Sequence, residues 1–378
     1  MKITILGPAH PYRGGLAAIM QRMACEFSAS GDEVEIKTFT LQYPEFLFPG
    51  KSQTLDSEPP RGLDIERCVN TVNPFNWLFV GLKLRYSKPD FIVMKYWTPF
   101  MAPCFGTIAR LARSNGHTKV ICQIDNVEPH EHHIIDRPCN RYYLTAVDGY
   151  IYMSEQVFRE LQEYSSAPAL FSPHPMFDNF GSRVDRATAC DAIGLDRECR
   201  YAMFFGLIRD YKGLDMLLDS WAQLKERGET EGRRLIIAGE FYTSPDPYLA
   251  QIERLNISDD VILRTEFIPD EQVANYFSAV DFVVLPYHTA SQSGVTQIAY
   301  NFCTPLIVTR VGGLPEIVPD NRVGYLCDPK AESITEAISK IWQEGTIERF
   351  ERGMQEERKR FTWSAMCNKI KELYNHIR

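Results

Sequence analysis

The sequence predicts an α/β protein made of two doubly wound parallel-sheet domains, and three observations lead there. Its 378 residues, 44% of them hydrophobic, are enough for two ordinary cores rather than one. Short apolar runs alternate with amphipathic helical stretches from end to end, the pattern of parallel strands joined by crossover helices. The alternation breaks once, in the Pro-, Asp- and polar-rich stretch from Ser172 to Gly194, which reads as a linker.

Before the break, strands are predicted at Lys2 to Leu6, Val34 to Phe39, Asp90 to Tyr96, Lys119 to Ile124 and Gly149 to Met153. Helices are read near 15–29, 75–87, 101–115, 140–147 and 154–164. After it, strands follow at Tyr201 to Phe205, Arg234 to Gly239, Val261 to Glu266, Asp281 to Pro286 and Pro305 to Thr309. A charged helix near 346–359 and an amphipathic helix in Phe361 to Arg378 close the chain.

A formal net charge of −8 argues against a broad basic face that wraps nucleic acid, so any anion must be met by a few local cations. The ten cysteines show neither a CxxC pair nor regular spacing, so reduced structural thiols of a cytosolic protein are expected rather than a zinc site or disulfide framework. The opening MKITILGPAH has no long apolar run and no small-residue cleavage site, and no secretion is expected. The longest membrane candidate, NPFNWLFVGLKLRY from Asn73, is broken by polar residues and falls short of the roughly 18 apolar residues a span needs. Peripheral membrane contact stays open.

Ligands of open parallel sheets bind outside the carboxyl ends of the strands, and two such domains facing each other would trap one in a cleft. The loops after the strands therefore carry the functional reading. In Gly206 to Gly213, Arg209 and Lys212 follow a strand and precede a helix expected to begin near Lys212, a seat for a diphosphate. The plainer alternative is a pair of solvated loop cations, Arg209 paired with Asp210 or Asp215. After Leu285 a small polar loop leads to a helix opening near Ser293 and Gly294, where the amides of Ser293, Gly294 and Val295 can approach an anion. An ordinary Ser N-cap would also explain Ser293. Gly312 and Gly313 then allow a tight turn after the next strand.

These segments resemble the family-four retaining glycosyltransferases (glycosyl transferases group 1), which use nucleotide sugars and have two facing Rossmann-like domains, the GT-B fold. The similarity covers nearly the whole chain and is strongest from Phe204 to Leu326. It implies that Arg209 and Lys212 bind the donor diphosphate, and it matches Pro305, Gly312, Gly313, Pro315 and Glu316, the last as a donor contact. It divides the chain into an acceptor domain (1–175), a donor domain (195–360) and a final helix (361–378) that could cross back to the first domain. No cofactor and no metal is implied. The partners implied are a nucleotide sugar and a glycan or lipid-linked glycan acceptor, with no nucleic acid.

One departure stands out. The family's two glutamates, spaced E-x7-E before that proline, reach the donor sugar and the ribose; counted back from Pro305, this chain has Ala290 and Ile298. Gln292 and Gln297 are the nearest polar replacements, and amide hydrogen bonds are expected to take over part of that role.

In the first domain, Gly14 and Gly15 follow strand one at a helix start, where backbone can lie close to donor or acceptor, with Arg13 adding charge; two glycines merely turning strand into helix is the alternative. The loop after Ile124 gathers Asp125, Glu128, His130, Glu131, His132, His133 and Asp136, and so many titratable groups past a strand end invite a catalytic reading. The family pattern H-N-x-x-P-H-E matches here at Asn126, Pro129, His130 and Glu131, with Asp125 in place of the first His. Asp125 and His130 are expected to position sugar and acceptor. HEHH lacks the H-E-x-x-H spacing that aims two imidazoles at one metal, and loop-ordering partners for Arg137 and Arg141 remain the other reading of His132 and His133. The aromatics of Tyr96 to Phe105 suit a sugar face or the core equally well.

Overall fold

The computed structural model describes residues 1–12, 14–44, 54, 58–127, 135–290 and 293–378. They form two compact units, one of Met1–Pro173 with Trp363–Arg378, the other of His174–Thr362.

The first unit holds strands β1 (Lys2–Leu6), β2 (Glu33–Leu41), β3 (Asp64–Asn70), β4 (Phe91–Tyr96), β5 (Lys119–Ile124), β6 (Gly149–Tyr152) and β7 (Ala169–Phe171). Among the described residues they make one parallel sheet in the order β3-β2-β1-β4-β5-β6-β7. The order reverses between β1 and β4, the switch point of a doubly wound sheet. Helices cover both faces, which is why the six residues of β4 are all buried. One face packs on the helices Gly15–Ala29 and Trp363–Ile377, whose Met366, Ile370 and Leu373 join Ile5, Val93 and Ile151 in a single core. The closing helix thus completes this unit, and the chain returns to it after building the second.

The second unit holds β8 (Arg200–Phe205), β9 (Arg233–Ala238), β10 (Val261–Arg264), β11 (Phe282–Leu285), β12 (Leu306–Thr309) and β13 (Gly324–Cys327), all parallel, in the order β10-β9-β8-β11-β12-β13. Its switch point lies between β8 and β11. Helices Leu214–Glu226, Asp246–Arg254 and Ala331–Ile341 bury Leu217, Ile252 and Ile338 on one face. Arg186–Ile193, Asp270–Ala279 and Gly294–Phe302 cover the other.

The expected strands and helices recur, and the differences have physical reasons. β3, β7 and β13 were not anticipated; each is an edge strand, where one side of the ladder is free and a continuous apolar run is not required. β3 reads DIERCVN, with charges on the strand itself. The stretch expected as a linker contains the helix Arg186–Ile193, capped by Asp185, whose carboxylate accepts from the Thr188 amide at 3.0 Å. Instead of continuing from Lys212, the next helix starts at Leu214, after a single 3₁₀ turn at Asp210–Lys212. The helix expected at 140–147 runs over Asp136–Leu144.

Candidate functional site

The loops after β8 and β11 flank the switch point of the second unit and are pressed together. The His288 amide donates to the Tyr211 carbonyl at 2.8 Å. Gly213 sits at φ 67°, and a Cβ there would lie 2.0 Å from the Pro286 carbonyl oxygen, so only glycine allows the two loops this approach. The loop after β12 is equally close: a Cβ on Gly312 (φ 50°) would lie 1.3 Å from the Ala290 oxygen.

Around this contact lies a cavity of about 350 Å³. Gly206 and Lys212 line it from the first loop, and Ser293, Gly294, Val295 and Ile298 from the start of the helix Gly294–Phe302. The convergence is tight, since a Cβ at Gly206 would stand 3.4 Å from Lys212 Nζ and 3.5 Å from Val295 Cγ2. Ser293 occupies the N-cap position without a side-chain capping bond, so the plain N-cap reading does not hold. Its Oγ instead meets the Tyr287 hydroxyl at 3.1 Å, and first-turn amides lack partners within their own helix. An ammonium and a positive helix end share one hollow.

Among the described residues the Lys212 ammonium has no hydrogen bond or ion pair; Nζ lies 5.9 Å from the Tyr287 ring centroid. Burial, helped by the nearby charge of Arg209, pushes its pKa down to about 8. The buried Tyr287 hydroxyl is pushed upward, mainly by desolvation, and stays protonated.

Arg209 behaves differently. Its guanidinium stacks on Tyr242, Cζ 3.9 Å from the ring centroid, and its Nε is buried without a partner. The pairing with Asp210 or Asp215 is not formed: Asp210 accepts from the Tyr248 hydroxyl at 3.2 Å, and Asp215 lies 3.1 Å from His288 Nε2. Arg209 does not line the cavity that Lys212 lines. A larger hollow of about 670 Å³ opens beside the same turn, but Asp210 and Asp215 in its wall repel a diphosphate.

Of the other residues singled out by sequence, Gln297 is 2% exposed and outside the cavity lining, its Oε1 without a partner. Where the resemblance places a ribose-binding carboxylate, Ile298 offers an apolar wall. Glu316, on the short helix Leu314–Ile317, is also away from the lining. Gln292 and His130 lie outside the described residues, as do Arg13, Glu128, Glu131, His132 and His133.

In the first unit, Gly14 (φ 102°) and Gly15 open the helix Gly15–Ala29 with nothing within 4 Å of where their Cβ atoms would stand. Asp125 follows β5 and accepts a 2.6 Å hydrogen bond from Nζ of Lys95, which is wholly buried in β4. Asn140 orders the same loop, donating to the Val127 carbonyl at 2.7 Å and accepting from the Tyr96 hydroxyl at 2.5 Å. Tyr96, Met101 and Phe105 belong to the core, with Trp97 and Phe100 at its margin.

Sequence reasoning missed three kinds of residue. Phe177 and Phe180, from the supposed linker, wall the cavity; Phe177 Cε2 would be 3.2 Å from a Cβ on Gly294. Tyr287 and Tyr211 line it too. Lys95 carried a visible signal, a charge inside the apolar run FIVMKY.

Residues 199–344 match the model of the family described as Glycosyl transferases group 1. A D-inositol 3-phosphate glycosyltransferase of Segniliparus rotundus is 35% identical over 148 residues, 38% of this chain and 32% of that protein. Another, of Corynebacterium aurimucosum, is 27% identical over 250 residues, 63% of this chain and 59% of that protein. The chain thus matches between a third and three-fifths of these relatives' length. Among solved structures, sucrose-phosphate synthase from Thermosynechococcus elongatus superposes with a TM-score of 0.70 at 18% identity, over 100% of this chain and 99% of that one. Anabaena Alr3699/HepE in complex with UDP and glucose gives 0.67 at 14% identity, over 100% of both chains. The resemblance to group 1 glycosyl transferases is borne out, and so is the fold, two Rossmann-like domains of the GT-B architecture.

Proposed function

We propose that this chain is a retaining glycosyltransferase that moves a sugar from a nucleoside-diphosphate donor to a hydroxyl of a glycan or lipid-linked glycan in polysaccharide biosynthesis. The observation that carries this reading is the convergence of Lys212, the Gly206 backbone and the first turn of the helix Gly294–Phe302 on one cavity. The neighbour solved with UDP and glucose supports this class of donor, and the relatives named as glycosyltransferases support glycosyl transfer.

As the bond from the anomeric carbon to the diphosphate breaks, negative charge grows on the leaving oxygen. The Lys212 ammonium and the amides of Ser293, Gly294 and Val295 are set to stabilise it, with Arg209 adding positive potential from its place over Tyr242. These cations and the helix end take the part a divalent ion plays elsewhere, so the reaction proceeds without metal. In front-face attack the acceptor oxygen bonds to the anomeric carbon on the side of departure, and its proton passes to the leaving phosphate. Asp125, held by Lys95, and His130 then position sugar and acceptor rather than serve as nucleophile.

A second reading is favoured by one observation: Ile298 stands in the cavity wall where a carboxylate is expected, as in a protein that binds sugar nucleotides without turning them over. A GT-B-fold epimerase or phosphorylase is the third. Thermal-shift screening with nucleotides and nucleotide sugars names the donor. Incubation with that donor follows: release of nucleoside diphosphate supports the transferase, an isomerised donor the epimerase, phosphate dependence the phosphorylase, and binding without turnover across an acceptor panel the silent binder. Among the described residues no helix is long and apolar enough to cross a membrane. The scattered, unpaired cysteines of the sequence favour the cytoplasm, with peripheral contact at the inner face of the membrane left open.

A further inference from the structure

The helix Pro74–Ser87 is apolar on two opposite faces. Val80, Gly81 and Leu84 are buried, and a Cβ on Gly81 would lie 2.7 Å from Leu111 Cβ. On the other side Phe75, Leu78, Phe79, Leu82 and Tyr86 are exposed, Phe75 to 83%, Phe79 to 66% and Tyr86 to 77%. At about 100° per residue these five side chains fall within an arc of about 100°. Single exposed hydrophobics are ordinary; a continuous stripe of five is an interaction surface.

Charge selects the partner. Lys83 and Arg85 flank the stripe on its two sides and Lys88 follows it, while the helix itself carries no acid. Lys83 is paired with Glu66, which leaves Arg85 and Lys88 as the exposed cations beside the stripe. From Arg67 to Ile124 the sequence has eight Lys and Arg against one acid, Asp90, although the whole chain has 41 against 49. This segment is cationic within an acidic protein. The 14-residue helix is too short to span a bilayer but suits one lying in its surface.

We propose that this helix seats the first unit on an anionic bilayer. Phe75, Leu78, Phe79, Leu82 and Tyr86 enter the boundary between headgroups and acyl chains, and Arg85 and Lys88 meet lipid phosphates. The proposal rests on this surface alone, so it stands or falls separately from the donor reading.

The test is flotation of the full chain with vesicles of phosphatidylcholine alone or with about a third phosphatidylglycerol. Binding is expected to the anionic vesicles, to weaken as salt is raised, and to fall at least about 10-fold for Phe75→Ser/Phe79→Ser and for Arg85→Glu/Lys88→Glu. Unchanged thermal midpoints and UDP binding in those variants show that fold and donor site are intact. A Phe79→Trp variant, which keeps the stripe, should shift its emission to the blue on the same vesicles. Absence of vesicle binding by the parent chain, equal binding by the variants, or self-association that depends on the stripe without vesicle binding would overturn the proposal.

Discussion

Lys95, wholly buried at the end of a central strand, donates a 2.6 Å hydrogen bond to Asp125, the residue that opens the loop after the neighbouring strand. An ammonium so far from water persists because a carboxylate meets it. The strand end and the loop are thereby locked together.

Removing one partner should cost more than removing both. Asp125→Ala strands a buried cation and is expected to lower stability by about 3 kcal/mol in urea unfolding, while Lys95→Met/Asp125→Ala loses less. If the double variant loses as much as the two singles combined, the pair carries no coupling.

Lys212 predicts how nucleotide binding depends on pH. Its folded-state pKa of about 8 lies below the ordinary lysine value of 10.5. Between these values the unfolded chain holds the proton more firmly, so this group's contribution to stability rises with pH across that window. Binding of UDP has the opposite sign, because the diphosphate favours the charged ammonium. Affinity measured by calorimetry should decline above about pH 8, and Lys212→Met should abolish the decline.

Arg209 lies over Tyr242 rather than in the cavity wall, yet no described carboxylate neutralises it. Arg209→Ala and Lys212→Ala should each lower turnover by at least roughly 10²-fold, and a chelator such as EDTA should leave the rate unchanged. An Arg209→Ala enzyme of normal rate would remove that residue from the diphosphate site. Loss of activity in EDTA, restored by a divalent ion, would end the metal-free reading.

The glycines differ sharply in what they permit. Gly213→Ala and Gly312→Ala drive a methyl group into a facing carbonyl at positive φ and should destabilise by more than about 1 kcal/mol, with nucleotide affinity falling in step. Gly15→Ala, with open space around it at a helix start, should leave the thermal midpoint unchanged within a degree or two. A neutral Gly312→Ala would mean that the two loops can part without cost.

Much of this was legible along the chain. Central strands buried on both faces must be apolar runs, so β1, β4, β5, β8, β9, β11 and β12 announced themselves, while the edge strands β3, β7 and β13 did not. The turn Gly206 to Gly213 and the helix start at Ser293 could be placed past their strands because strand, turn and helix periodicities are local properties.

By itself the sequence determined two parallel α/β units and the loops that carry cations and free amides. Tertiary structure alone decided which of them meet: Lys212 beside Val295, Arg209 on Tyr242, Phe177 over Gly294, Lys95 beneath Asp125, and the closing helix on the first sheet. The reason is physical. Periodicity reports which face of an element is apolar, but contacts between residues tens or hundreds of positions apart depend on strand order and side-chain packing, and no local pattern encodes either.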